Sequence, residues 1–419
     1  MKFQDYNIAP EIKQNLEELG FKRPTDIQFK AIPNILKGED LLAIAQTGTG
    51  KTAAFAIPIV NMIHQQKRNK TADSIKCIVM VPTHELAIQI RDVFDKIAAH
   101  TKVKAYSIFG GVAQDPQIAQ LEKGIDILIA TPGRVFDLVS QGHLNLRQIE
   151  ILVLDEADHM LKLGFYEDIQ DLIRFLPKRR QTLFFSATIN ERIKDLAYSL
   201  VKNAIRIQIS PKDPVSKNVI HTLAYVEMDD KRFFLERIIT ENPDKKILVF
   251  VRTKVRAERV SKAMQRVGIE TLTIHSDKDQ QDRVAVMKQF REGTTKVLIA
   301  TDISARGIDI PHIDFVVNYD LPDEAENYVH RVGRTGRGVE KGRAVSFCST
   351  EEIPMLKKIE AFMGKQITVM NITKTEYAET LTFTADPLKN TDWKSLMAEA
   401  EKAEQADKRK KKPKKVKKK

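Results

Sequence analysis

The stretch LLAIAQTGTGKT, residues 41–52, is an apolar β-type run, a glycine-rich turn and then a Lys-Thr pair opening a helix-like segment. That order of strand, turn and helix is how an α/β fold grips phosphate. The glycines let backbone N–H groups crowd an anion, and the helix N-terminus adds its positive dipole end. Gln46, Thr47, Gly48, Thr49 and Gly50 are the expected cradle, with Lys51 on the terminal phosphates and Thr52 as a Mg²⁺ ligand. The usual pattern starts with Gly where this chain has Ala45. Read without its context, the segment is a glycine-rich turn that ends in Lys-Thr.

Further along, the same rhythm repeats. KCIVMV (76–81), DILIAT (126–131), ILVLDE (151–156) and QTLFFS (181–186) are apolar, β-branched runs separated by helix-length segments such as 84–100. Apolar strands alternating with helices predict a parallel sheet covered on both faces. At 206–218 the pattern breaks into RIQISPKDPVSKN, which reads as a linker. It restarts with ILVFV (247–251), KVLIAT (296–301) and DFVVNY (314–319). The expectation is therefore an α/β chain of two parallel-sheet domains, 1–206 and 218–365. They are joined by a linker at 207–217 and followed by an extension, 366–407, that contains the one tryptophan, Trp393, on a helix expected from about Asp392.

Composition narrows the class. The 419 residues include 68 Lys+Arg and 56 Asp+Glu, a formal charge of +12, and 42% are hydrophobic, enough for proper cores. Residues 408–419, KRKKKPKKVKKK, hold ten of the basic residues and no acid, so the remainder carries 58 against 56. The basic character is mostly a tail, expected to be disordered and to meet a polyanion; a solubilising end or an import signal is the plainer alternative. Two cysteines, Cys77 and Cys348, exclude a disulfide framework and a cysteine zinc site. With neither a signal-like start nor a membrane-length apolar run, a cytoplasmic protein is expected.

Two further motifs carry chemistry. Asp155-Glu156-Ala157-Asp158 ends an apolar strand. Beside a phosphate loop, Asp155 would hold Mg²⁺ and Glu156 would orient the attacking water; alone, such acids more often cap helices. HRVGRTGR (330–337) packs three arginines among glycines in the other domain. Guanidinium groups neutralise charge on a transferring phosphoryl group, so an ATPase that works when two domains close is expected; the alternative is a basic turn facing a polyanion.

AQTGTGKT, the acidic tetrad, Ser186-Ala187-Thr188 and HRVGRTGR, in that order, resemble the DEAD-box RNA helicases over about residues 1–365. The resemblance implies two tandem RecA-like domains, with ATP and Mg²⁺ as ligands. GFKRPTDIQ (20–28) resembles that family's adenine motif, which implies Gln28 on the adenine edge, Phe21 against its ring and Phe3 in support. It further implies that Ser186, Ala187 and Thr188 couple the nucleotide to RNA, and that Asp309 binds the ribose. Arg334 and Arg337 would be arginine fingers, and His330 a sensor near Glu156. Pro82, Thr83, Gly110, Gly111, Thr131, Pro132, Gly133 and Arg134 would line the RNA in the first domain, and Gln280, Arg283 and Thr301 in the second. Such residues bind sugar and phosphate without reading bases.

Two positions depart from the family pattern: His84 stands where Arg is usual and Ser276 where Gly is usual. Both bear on the RNA grip and neither on the ATP machinery. The implied activity is ATP-dependent separation of short RNA duplexes, sequence-independent, on single-stranded and short duplex RNA. Ribosomal precursor particles and RNA-decay proteins are the implied partners, and ribosome assembly, mRNA turnover and cold adaptation the implied settings. A slow ATP-gated RNA clamp and a DNA translocase are the alternatives.

Overall fold

The computed structural model describes residues 2–382 except 46–47, 69–73, 189–190, 202, 210–214, 216–217, 303–312 and 337–340. These residues form two compact units that divide near residue 211. Gln46, Thr47, Asp309, Arg337, Trp393 and the basic tail lie outside the described residues.

The first unit is built on seven strands: β1 (Leu41–Ala45), β2 (Cys77–Met80), β3 (Ala105–Ile108), β4 (Ile127–Ala130), β5 (Ile151–Leu154), β6 (Gln181–Ser186) and β7 (Ile205–Ile209). All pair in parallel in the order β3-β4-β2-β5-β6-β1-β7. Every residue of β1, β2, β4, β5 and β6 is buried. Alternation then splits each strand between two cores. Leu41, Ala43, Cys77, Val79, Ile127 and Ile129 pack on one face, and Leu42, Ile44, Ile78, Met80, Leu128 and Ala130 on the other. A two-residue period with both faces apolar is the reason these strands need helices on both sides.

The second unit repeats the plan with β8 (Val219–Tyr225), β9 (Ile247–Val251), β10 (Leu272–Ile274), β11 (Val297–Thr301), β12 (Phe315–Asn318), β13 (Gly342–Cys348) and β14 (Thr368–Val369). Their order is β10-β11-β9-β12-β13-β8-β14, again all parallel. Val249 sits in the middle, level with Ile299 on one side and Val317 on the other.

The expected pair of parallel-sheet domains is what the chain forms. The boundaries differ in two places. Residues 205–209 are an edge strand and not the start of a linker, with Ile207 buried and Arg206 and Gln208 outside it. An edge strand tolerates polar residues, so its composition resembles a linker. The second unit also runs past residue 365. It adds β14 and the helix Lys374–Leu381, whose Tyr377 donates to Asp230 at 2.7 Å and packs on Phe234 at 5.0 Å.

Candidate nucleotide and RNA sites

All strands of a parallel sheet end on one side, and in open α/β sheets that carboxyl side is where ligands bind. In the first unit the sheet order sorts the candidates. The phosphate loop follows β1, the acidic tetrad follows β5 and Ser186-Ala187-Thr188 follows β6. Pro82 follows β2, Gly110 and Gly111 follow β3, and Thr131 to Arg134 follow β4. Nucleotide candidates thus occupy the strand ends β5-β6-β1, and RNA candidates the adjoining ends β3-β4-β2.

At the phosphate loop, Gly48 and Gly50 have φ of +79° and +92°, a region that a side chain disfavours. The helix Lys51–Arg68 starts directly after them. Lys51 is buried, and its Nζ donates to the Ala45 carbonyl at 2.9 Å. Thr52, half-buried, is the second residue of that helix. Gln28 is also buried, and its amide is engaged within the protein. Its Oε1 accepts from Thr25 N at 3.0 Å and its Nε2 donates to the Gly50 carbonyl at 3.1 Å. The Thr25 hydroxyl donates to the Thr49 carbonyl at 2.8 Å. Thr25 and Gln28, the capping box of the helix Asp26–Leu36, are therefore stitched to the loop. The sequence had suggested only an adenine contact for Gln28, and Thr25 had carried no role. Phe3 and Phe21 meet edge to face at 5.7 Å, with Phe3 buried and Phe21 part-exposed.

Asp155 is 3% exposed at the end of β5, and its Oδ1 accepts from Glu156 N at 3.0 Å. Burial pushes its carboxyl up to about 6; Lys51 pulls it down, while Glu156 and Asp158 add to the rise. Glu156 has φ of +52°, the left-handed region, and caps the helix Ala157–Lys162. Asp158 is tied to the end of β6. The Ser186 hydroxyl donates to its Oδ1 at 3.0 Å, Ala187 N reaches the same oxygen at 3.3 Å, and the Thr188 hydroxyl is 3.5 Å from Oδ2.

On the other strand ends, Thr83 caps the helix His84–Ile97 by accepting from Leu86 N at 3.3 Å, and Pro82 before it is buried. The His84 ring stacks on Phe109, 5.1 Å between centroids and 24° between planes. The Gln117 side chain clasps Phe109, donating to its carbonyl and accepting from its N–H, both at 3.1 Å. The turn entering Gly110 and Gly111 is thus held from two sides, by His84 and by Gln117, of which Gln117 had no expected role. Gly111 has φ of +73°, and the space a Cβ on Gly110 would take is open. Thr131, buried, directly precedes the helix Pro132–Ser140 that carries Gly133. Arg134 is 8% exposed, and its Nη2 donates to the Val112 carbonyl at 2.8 Å while Nη1 makes no hydrogen bond within the protein.

In the second unit Thr301 ends β11 and is buried. Gln280 opens the helix Gln280–Glu292, whose cap Asp279 accepts from Asp282 N at 2.8 Å. Arg283 Nη1 donates to the His275 carbonyl at 3.4 Å, and Ser276 is exposed beside it. His330 and Arg334 lie at and just after the end of the helix Ala325–Val332. Arg334 is 6% exposed and donates from Nε to the His330 carbonyl at 3.2 Å. Arg331, the arginine of that motif without an expected role, is a structural bolt. It pairs with both oxygens of Asp302 at 2.5 and 2.8 Å, donates to the Asp320 carbonyl at 2.6 Å, and lies over Phe250.

A phosphate loop on β1, an acidic pair at the end of β5 and a second sheet of the same plan are the arrangement of a two-unit P-loop nucleoside triphosphatase. Residues 25–196 match the family model for DEAD/DEAH box helicase, and residues 230–339 that for helicase conserved C-terminal domain. The chain is 40% identical over 377 residues to the ATP-dependent RNA helicase RhlB of Shewanella frigidimarina, covering 89% of this chain and 87% of that one. It is 38% identical over 366 residues to the ATP-dependent RNA helicase DbpA of Bacillus subtilis, covering 87% and 75%. Its fold matches the structure of S. cerevisiae Dbp5 bound to RNA and ADP BeF3 at a TM-score of 0.79 and 30% identity, over 94% and 99% of the two chains. The chain belongs to the DEAD-box family of ATP-dependent RNA helicases. Among the described residues no helix is long and apolar enough to cross a membrane.

Proposed function

We propose that the chain hydrolyses ATP when RNA is bound and uses that cycle to separate short RNA duplexes without reading their sequence. The observation that carries this reading is the sorting of the candidates by strand order in the first unit. Lys51 and the loop amides would hold the phosphates, Gln28 and Phe21 the adenine, and Asp309 the ribose. Glu156 would orient the water that attacks the γ-phosphate. Arg334 and Arg337 would neutralise the charge that develops on the transferring group, with His330 as the sensor near Glu156.

Mg²⁺ fits the residues present. Asp155 is a buried carboxylate that accepts a hydrogen bond from Glu156 N, and a divalent cation would add its charge to that of Lys51 in offsetting the burial. Asp155 and Thr52 would hold the ion, which when bound spreads the phosphate charge. Ser186, Ala187 and Thr188, through Asp158, would link the tetrad to RNA. On the RNA side, Arg134 Nη1, with its unused donor, fits a phosphate oxygen. Thr83, Gly110, Gly111 and Thr131 offer small groups and backbone to sugar and phosphate, as Gln280, Arg283 and Thr301 do in the second unit.

Ribosomal precursor particles and RNA-decay proteins are the proposed settings, in the cytoplasm. The test is ATP hydrolysis with and without single-stranded RNA, beside strand separation of a short duplex. Wild type should be RNA-stimulated, and Arg334→Ala should lose roughly 10³-fold in kcat. Stimulation by DNA equal to that by RNA, or Arg334→Ala within threefold of wild type, would refute the assignment.

A further inference from the structure

The residue that follows the acidic tetrad, His159, has no role in the family reading given above. Its side chain is 4% exposed, and its Nδ1 lies 3.5 Å from Glu156 Oε2, one helical turn back. Nδ1 is buried and completes no hydrogen bond in the protein. Within the tetrad, Asp155 is fixed by Glu156 N and Asp158 by the end of β6. Glu156 stands between them in a left-handed conformation, φ +52° and ψ +45°, that is unfavourable for a residue with a Cβ.

We propose that His159 is a positioning residue for Glu156. With a proton on Nδ1, the imidazole donates to Oε2 and holds the carboxylate in one orientation. The present 3.5 Å is longer than a hydrogen bond; catalytic contacts are commonly loose at rest and tighten around substrate. The inference rests on the role of Glu156 in ATP hydrolysis given above, and goes beyond it by assigning what aims that carboxylate.

The side-chain geometry supplies the test. The amide of Asn places its nitrogen near the position of Nδ1, whereas Gln places it near Nε2 and Leu offers no donor. Full-length His159→Asn, His159→Gln and His159→Leu are compared in RNA-stimulated ATPase, with melting temperature and binding of a non-hydrolysable ATP analogue measured alongside. His159→Asn should keep kcat within about threefold of wild type. His159→Leu and His159→Gln should lose roughly tenfold or more, the scale of one hydrogen bond to a charged group. Half-saturating ATP and RNA concentrations should stay within about twofold for all three. His159→Leu placed on Glu156→Gln should cost nothing further, because the group it positions is gone.

Leu matching wild type, or Asn losing as much as Leu, would overturn the proposal. So would a loss that tracks melting temperature across the three variants, since that is the mark of a packing role. Absence of RNA-stimulated hydrolysis in the wild type would instead sink the reading of the activity itself, and is read from the unsubstituted chain alone.

Discussion

The crowding around Gly50 sets the size of the effect an added methyl group would have. At φ +92°, an Ala in its place pays the left-handed cost of ~1–2 kcal/mol. The added Cβ would also stand 2.5 Å from Gln28 Nε2 and 3.1 Å from Thr25 Oγ1. The amide cannot step aside cheaply, because it is buried and bonded to both Thr25 N and the Gly50 carbonyl. Losing that buried bond adds ~1–3 kcal/mol. Gly50→Ala should therefore cost about 2–5 kcal/mol. Gly48→Ala is the control: its φ is +79°, but nothing lies within 4 Å of its Cβ, so it should cost only the conformational term. The assay is urea unfolding of the full-length chain without ligands, with hydrogen exchange over residues 41–68 assigning the loss to the first unit. In a Gln28→Ala background the excess of Gly50→Ala over Gly48→Ala should shrink to what the Thr25 Oγ1 contact at 3.1 Å costs. Equal costs for the two glycines would refute the claim that Gln28 is locked to the loop. Nucleotide affinity should follow the same ranking.

Three further outcomes are expected. Burial raises the Asp155 carboxyl from 3.8 to about 6, so the folded chain binds the extra proton between roughly pH 4 and 6 and stability falls as pH rises through that window; Asp155→Asn should be more stable than wild type at pH 7.5 by on the order of 1–3 kcal/mol, converge with it near pH 4, and hydrolyse no ATP, as denaturation across pH and ATPase assays would show. His84→Ala should raise the half-saturating RNA concentration about two- to tenfold through loss of the Phe109 stack, whereas His84→Arg, which can stack and adds a charge, should bind RNA more tightly at low salt with the gain fading at high salt. Deleting residues 408–419 should raise the RNA needed for half-maximal ATPase and flatten its salt dependence while leaving the saturated rate nearly unchanged.

The central strands of the first sheet, and β9, β11 and β12 of the second, were legible because their burial is two-sided, whereas β8 and β13, also inside the second sheet, were not read from the sequence. LLAIA, QTLFFS and ILVFV are strands over the residues read from the sequence. Ala105–Ile108, Leu272–Ile274 and Thr368–Val369 were not, since strands at or near a sheet edge need little apolar sequence. The same limit applies to side chains. Arg331 and Arg334 are the same letter in one motif, and only the fold shows that Asp302 neutralises the first. Gln28 announced an adenine contact but not its bond to Gly50, since the partner is a backbone carbonyl, which no sequence pattern marks. Gln117 and His159 carried no signal for a related reason: each acts on a neighbour whose position the fold alone decides.

Chain order interleaves what the fold separates. Along the sequence, Gln28 and the phosphate loop come first, then Pro82, Gly110 and Thr131, and only then Asp155 and Ser186. The sheet undoes this with one long crossover: the chain leaves β1, passes over the places of β6 and β5 to lay down β2, goes out to the edge strand β3, sets β4 between them and then returns to fill the gap with β5 and β6. The seam between the two halves is the β2–β5 pair. There Asp155 N donates to the Met80 carbonyl at 3.0 Å, which ties the start of the acidic tetrad to the strand that delivers Pro82 and Thr83. One residue further on, the backbone turns left-handed at Glu156, and Asp158 reaches across to Ser186. If RNA bound as proposed displaced Pro82–Thr83, the shift would bear first on Asp155, whose N–H is bonded to Met80, and then on Glu156 next to it. On that geometry, substitutions that loosen this seam should reduce RNA stimulation of the ATPase more than its RNA-independent rate, whereas loss of a phosphate contact such as that proposed for Arg134 should instead raise the RNA concentration required.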